Sequence, residues 1–429
     1  MVALELKFPV VDRSTGEAAS REVLQGLWRH LGTQGWQPLQ DEHTGRTVGA
    51  SRTLGGRTDV LSSATGYCVI ELSTAPEATI GALDRRVRAA LEPVVRHCGE
   101  HGAQLLGHGI HPVTAPSPDL LTAKQRNVFW DDVFEGCDPS AQVHLFTVTA
   151  ASQAHVDVGW EEAGDALAVF NGLAPAQIAL TANSAVWDNR VDEQFRNVHE
   201  SFWDRWSPDE DRVGMPAENP ASLEVWLDSL LQLRPVYVER DGGPILISSC
   251  DSFAEFCGCE SVIGRTADGQ PATVQAKQED LDLHMTFCWH NARISRYCTL
   301  ENRVNCQQPP ESLMAVGALT LGLAERLGQA RSLVGRYDWR DLRRGRVDAM
   351  RHGLEACVAD RPISDLCQAM LEIATEGLQA RGHGEEAYLA PLWQRLRRRR
   401  SPADQAIACF QQDGIGGLLK RFSLERYPV

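Results

Sequence analysis

Three glutamates on strand-like segments have the type and spacing to do chemistry. They are Glu5 in Leu4-Glu5-Leu6-Lys7, Glu71 in Val69-Ile70-Glu71-Leu72 and Glu301 in Thr299-Leu300-Glu301-Asn302-Arg303. A carboxylate inside an apolar strand stands either on a solvated face or in a site, and alternation alone leaves both readings open for Glu5 and Glu71. Glu301 carries more information, because on a strand it shares a face with Arg303, and Arg293 and Arg296 lie just upstream. Such a pair can be a surface ion pair. Where a polyphosphate and its metal are held, the carboxylate ligates Mg²⁺ and the guanidinium neutralises the transferring phosphate. The run Gln153-Ala154-His155-Val156-Asp157 adds three polar side chains on one strand face, which points to a site more than to an isolated structural histidine.

Holding these groups in register takes a sheet and helices to cover it. Residues 2–11 alternate as a strand, and residues 17–35 carry Val23, Leu24, Leu27 and Leu31 at helical spacing. A short strand over 69–72 is closed by Ser73 through Pro76. Residues 78–101 have a strong amphipathic helix pattern, followed by a strand over 105–110. Alternation over 143–158 predicts a strand, 163–186 a buried helix, and 189–221 a long ordered loop. A helix over 222–233 precedes a hairpin at 237–248 that turns at Asp241-Gly242-Gly243. Another strand covers 297–304, and nearly everything from 311 to 410 is helical. The pattern predicts an α+β fold, with a sheet region over 1–310 and a helical C-terminal portion over 311–429 packed on the same domain.

Composition narrows the function classes. With 43% hydrophobic and 23% charged residues, the 429-residue chain is an ordinary globular sequence. A net charge of −15 argues against nucleic-acid partners, which call for excess Lys and Arg. No apolar run reaches membrane-spanning length, and the start of the chain has no secretory pattern, so the expected location is cytoplasmic without membrane attachment. Twelve scattered cysteines, with Cys257-Gly258-Cys259 as the only close pair, read as reduced structural thiols. Arg395 and Arg397 through Arg400 read as a solvated helix end.

Together these segments resemble the glutamate–cysteine ligase type 2 family, in its bacterial carboxylate–amine ligase branch. The resemblance runs in order along almost the whole chain. Leu4 through Lys7 is similar to the family's opening Gly-x-Glu-x-Glu strand, and Gly66 through Thr74 to its second metal-binding strand. Gly107-His108-Gly109-Ile110-His111-Pro112, Ala179 through Ser184, Asp211 through Pro216, His284, Arg293 and Thr299 through Val304 follow. The resemblance implies a glutamine-synthetase-like fold with a curved, largely antiparallel sheet. It also implies ATP, Mg²⁺ and an acyl-phosphate intermediate in forming an amide from small-molecule carboxylate and amine substrates. On that basis Glu5, Glu71 and Glu301 hold the metal, and Arg303 with Arg293 stabilises the transferring phosphoryl group. Arg303, Arg296 and Lys7 face the nucleotide, while Gln153, His155 and Asn183 orient the substrate. The assembly state stays open, a homo-oligomer included.

The sequence departs from the family pattern at identifiable places. Lys7 stands where the second glutamate of the first strand belongs, which implies one Mg²⁺ fewer, with the ammonium in its place. Cys306 stands where the late motif ends in aspartate, and Trp289-His290-Asn291-Ala292-Arg293 replaces a Phe-Pro-x-x-Arg segment. The alternative to an active ligase is a degenerate member that binds a nucleotide, an amino acid or a partner protein without turnover. Glu71, Glu301 and Arg303 favour the active enzyme.

Overall fold

The computed structural model describes residues 1–129, 143–205 and 211–427. Its axis is β1 (Val2–Asp12), whose alternation separates two faces: Val2, Leu4, Leu6 and Phe8 are buried on one, while Glu5 and Lys7 stand on the other. Helix α1 (Arg21–Thr33) follows. The strands β2 (Gln37–Gln40), β3 (Thr47–Leu54), β4 (Arg57–Ser63) and β5 (Val69–Ser73) then build one side of the sheet. After helix α2 (Ile80–Glu100) come β6 (Ala103–Leu105), β7 (Ser152–Asp157), helices α3 (Ala163–Gly172), α4 (Ala174–Thr181) and α5 (Val198–Ser201), and the strands β8 (Ala292–Ile294) and β9 (Thr299–Asn302). Helices α6 (Ala315–Ala324) and α7 (Ile363–Arg381) belong to the C-terminal run.

These nine strands form one antiparallel sheet in the order β8-β9-β7-β1-β5-β4-β3-β2, with β6 pairing the far end of β1. The register places Lys7 opposite Glu71, Glu5 opposite Gln153, and Glu301 between His155 and Arg293. Because side chains alternate with period two, every polar group in that chain points to the same face. A one-residue slip of any of these strands would bury its carboxylate in the core.

Helices cover the other face. In α2, Ile80, Leu83, Val87, Leu91 and Val94 recur at helical spacing and are buried, and the Thr79 hydroxyl caps its start by accepting from the Ala82 amide at 3.2 Å. Helix α6 is apolar all round because it lies between the sheet and α7. A side chain there is excluded by contact: a Cβ on Gly322 would lie 2.3 Å from the Ala374 carbonyl oxygen, and one on Gly377 2.1 Å from that of Gly322. Leu4, Leu6, Phe8, Leu91, Leu319 and Leu371 join in one core, each worth about 1.5–3 kcal/mol relative to exposure. The helices between residues 315 and 398 share the sheet's core, while the helix over 402–422 packs in smaller clusters with Val186 and Leu106.

Four segments differ from the sequence expectation, the first being the strand expected over 105–110, which is β6 over 103–105 with only single bridges at Leu106 and Ile110. Residues 143–148 are a 3₁₀ turn, and only 152–157 form the strand. Thr147 and Thr149 donate their hydroxyls to the carbonyls of His144 and Phe146, which favours the turn over extension. The helix expected over 163–186 is two helices, because Pro175 lacks an amide proton and fits only a first turn. The loop expected over 189–221 contains α5, and its residues 206–210 lie outside the described residues. Arg395 is not at a solvated helix end but buried. It donates to the Leu180 carbonyl at 3.1 Å, to Gln308 at 2.7 Å and to the Ser312 hydroxyl at 2.7 Å, and burial pulls its pKa down to about 10. The described cysteines are all free, and no helix among the described residues is long and apolar enough to cross a membrane.

Candidate active site

The polar face of β1 and its neighbours carries a continuous ionic row. Lys7 Nζ sits 2.9 Å from Glu5 Oε1 and 3.1 Å from Glu71 Oε2. Across β7, Glu301 accepts from Arg293 Nε at 2.7 Å through one oxygen and from Arg303 through the other. The Arg293 guanidinium is itself anchored by the carbonyls of Thr286 at 2.6 Å and Cys288 at 3.0 Å. Gln153 joins the two halves. With its amide oriented to satisfy its surroundings, the nitrogen lies 3.0 Å from Glu5 Oε1 and 3.2 Å from Glu301 Oε1.

Burial alone would neutralise these groups, so the row depends on mutual pairing. Burial pushes the Glu301 carboxyl up, yet Arg293, Arg303 and His155 hold it well below the usual range. Burial likewise works against the charge on Lys7, but Glu5 and Glu71 raise its pKa above the normal lysine value. Glu5 ends below its ordinary value, with Lys7, Arg303 and His155 outweighing burial and the repulsion of Glu301. Glu5, Lys7 and Glu301 are thus held in their charged forms.

One subset has the geometry of a cation site. A carboxylate oxygen of Glu5, one of Glu301 and a ring nitrogen of His155 all lie within 4.8 Å of one another. Two carboxylates and an imidazole form a donor set suited to a hard or borderline divalent ion, so these residues fit Mg²⁺ or Mn²⁺. Glu71 lies outside this group and pairs with Lys7 instead.

A cavity opens over the row. Lys7, Gln153 and Arg303 are on its lining, together with Phe146, Trp203 and Trp289. The rings of Phe146 and Trp203 lie 4.1 Å apart, and Trp203 and Trp289 stack at 5.8 Å. His199 and Glu200 of α5 also line it. Glu200 accepts from Arg346 at 2.7 Å and from Asn291, and Arg346 reaches on to Asp204 at 2.7 Å. The side of the cavity built by Phe146, His199, Glu200 and Trp203 was not singled out by sequence reasoning. The only signal there was the charge- and Trp-rich composition of 189–221, read as a loop.

Of the expected contacts, His155 and Arg293 belong to the row without lining the cavity, and Asn183 and Arg296 stand apart from both. Asn183 is fully buried and donates to the carbonyls of Gly107 and Gln307, both at 2.8 Å, so its amide ties backbone segments together instead of facing a substrate. Arg296 is exposed on the turn between β8 and β9, bonded to Tyr297 Oη at 2.6 Å. Asp157, at the end of β7, pairs with the N-terminal ammonium at 3.0 Å and leaves the row at His155.

The chain is 25% identical over 353 residues to the chloroplastic glutamate–cysteine ligase of Medicago truncatula, covering 79% of this chain and 66% of that one. It is 24% identical over 356 residues to the chloroplastic enzyme of Brassica juncea, covering 79% and 65%. The chain thus spans just under two thirds of the length of these relatives. Among solved structures, a glutamate–cysteine ligase from Francisella tularensis in complex with AMP aligns with a TM-score of 0.57 at 11% identity, over 99% of this chain and 87% of that one. A bifunctional glutathione synthetase from Pasteurella multocida aligns at 0.53 and 11%, over 99% and 52%. These two share the fold of helices on an antiparallel sheet. The model of glutamate–cysteine ligase family 2 matches residues 29–421, and the chain belongs to that family.

Proposed function

We propose that the protein is an ATP-dependent carbon–nitrogen ligase that joins a carboxylate to an amine through an acyl phosphate. A carboxylate is a poor electrophile because oxide is a poor leaving group; phosphorylation provides a good one. The protein's task is then to place anions beside one another and offset their charge. Glu5, His155 and Glu301 would hold Mg²⁺, which would supply positive charge against the phosphates of ATP. Arg303, whose guanidinium is fixed by Glu301, donates to the phosphoryl group in transfer, and Arg293 holds the second oxygen of Glu301. Lys7 adds a positive charge at the cavity floor, and Gln153 donates between the two carboxylates or to the substrate. Glutamate through its γ-carboxylate, with cysteine or another small amine, is the substrate pair the family membership favours.

The observation that supports this reading is the juxtaposition of a divalent-ion donor set, Glu5–His155–Glu301, with Arg303 and Lys7 under one cavity. The test is an ADP-release assay with Mg²⁺, ATP and L-glutamate, run across a panel of amines with products read by mass spectrometry. Amide formation that needs ATP, metal and both substrates is the expected result. Nucleotide binding with no ADP release for any pair would place the protein with the degenerate members of the family instead.

A further inference from the structure

Six histidines among the described residues are buried, and five of them are hydrogen-bonded to a backbone carbonyl. His97 bonds to Val23 at 3.0 Å, His108 to Ile110 at 2.8 Å, His111 to Cys68 at 3.1 Å, His284 to Leu230 at 2.8 Å and His290 to Asp211 at 3.0 Å. The sixth, His199, has no hydrogen bond at either ring nitrogen among the described residues, and its Nδ1 is buried without a partner. It is also on the lining of the cavity that Lys7, Gln153 and Arg303 floor. A buried polar group left unsatisfied is destabilising, so an orphaned imidazole facing a cavity calls for an explanation.

The backbone around His199 is fixed, which makes its aim a property of the fold. Its amide donates to the Ser184 hydroxyl at 3.1 Å. The Asn197 side chain accepts from the Glu200 amide at 3.0 Å and from the Cys306 thiol at 3.2 Å. Cys306 lies three residues beyond Arg303, so the same strand exit holds both the guanidinium and the turn that carries the imidazole. Glu200, the neighbouring acid, is already engaged by Arg346 and Asn291 and has no such freedom.

We propose that His199 is the catalytic base that takes the proton from the attacking amine. The inference rests on the ligase reading above. The substrate ammonium gives one proton to the imidazole, and the freed lone pair forms the C–N bond at the acyl carbonyl. The C–O bond to phosphate then breaks with its electron pair, and the second N–H proton of the adduct leaves with the phosphate. The imidazolium returns its proton to solvent. Burial foremost, and then the charges of Lys7 and Arg303, lower the His199 pKa to about 3 and hold the imidazole neutral. A phosphorylated substrate seated on those two cations cancels their repulsion, so basicity rises when the base is needed. Glu200 and His290 are the other titratable groups on the cavity lining, and both are held by partners.

The test uses the full chain with Mg²⁺, ATP and L-glutamate, and offers either L-cysteine or hydroxylamine, which is unprotonated at neutral pH and needs no base. In His199→Asn, kcat for amide formation with cysteine is expected to fall about 10²–10³-fold, while hydroxamate formation stays within about threefold and the KM for glutamate barely moves. His199→Gln gives the same readout if the asparagine variant melts early. Equal losses with both nucleophiles, or a rise in the KM for glutamate at unchanged kcat, would overturn the role of His199 while leaving the ligase reading intact. A wild-type protein that forms neither product would overturn both.

Discussion

Two halves of one sheet face solve the same electrostatic problem differently. On the β1–β5 side, Glu5 and Glu71 are bridged by Lys7, a cation that is part of the chain. On the β7–β9 side, Glu5, His155 and Glu301 converge as donors for a cation that can come and go, with Arg293 and Arg303 behind them. Carboxylates brought this close repel and lose solvation, so each half needs positive charge to persist. A covalent ammonium supplies it permanently but offers no open coordination position. A metal site supplies it together with ligand exchange. The difference teaches how one fixed ammonium can hold two carboxylates together, and on the proposed reading Lys7 keeps a charge where relatives would hold an ion.

The largest effects should come from the metal-competent half. Arg303→Ala is expected to lower kcat by about 10²–10³-fold while changing the KM for ATP far less, because the guanidinium is needed most as charge shifts on the phosphoryl group. Glu301→Gln should remove Mg²⁺-dependent turnover to a similar degree. Steady-state rates over ATP and Mg²⁺ concentrations check both, and an Arg303→Ala enzyme with unchanged kcat would break the comparison at its centre.

Next comes the Lys7 half. The wild-type protein is expected to bind one divalent ion fewer than Lys7→Glu, which places a carboxylate between Glu5 and Glu71. Mn²⁺ titration followed by magnetic resonance, with calorimetry for Mg²⁺, counts the ions. Lys7→Met should instead destabilise the fold without raising the count, since two carboxylates then lose their shared cation. If the wild type already holds as many ions as Lys7→Glu, the ammonium does not stand in for a metal.

How much of this was legible in the sequence follows from periodicity. The period-two alternation around Glu5, Glu71, His155 and Glu301 fixes which side chains share a face once the strands are adjacent, so the row was readable residue by residue. Strand adjacency is set by long-range pairing, and β9 meets β7 across more than a hundred residues; local pattern alone does not encode that. The fourth wall was hidden for another reason. His199 lies on a four-residue helix within a charge-rich stretch, too short for any periodicity to register. Asn183 was misread because a polar residue in an apolar helix end looks like a ligand, whereas its amide joins two backbone segments. Asn183→Ala is therefore expected to cost about 1–3 kcal/mol of stability by leaving those carbonyls unpaired, with kcat of the folded fraction little changed. Denaturant unfolding alongside rates per folded molecule separates the two.

The smallest effect concerns acid, and it separates both halves of the row from the rest of the core. Between pH 7 and pH 5 Glu5, Glu301 and Lys7 should not titrate, because the two carboxyls lie below their ordinary values and the ammonium above its own. His284 does differ. Burial, against the opposing bond to the Leu230 carbonyl, lowers its pKa to about 4, and its ring stacks on Phe253 at 4.1 Å. An unfolded histidine titrates near 6.5, so over this interval the unfolded chain binds more protons than the folded one. The contribution of His284 is thus fully present above about pH 6.5 and is lost as pH falls toward 4, on the order of 1–2 kcal/mol by pH 5. His284→Gln keeps a donor for the Leu230 carbonyl but has no proton to gain. Its denaturant midpoint is expected to drop less than the wild type's between pH 7 and pH 5, even if it starts lower. An identical drop in both proteins would move the acid sensitivity elsewhere, first to His108 and His111, whose pKa values burial also lowers to about 4.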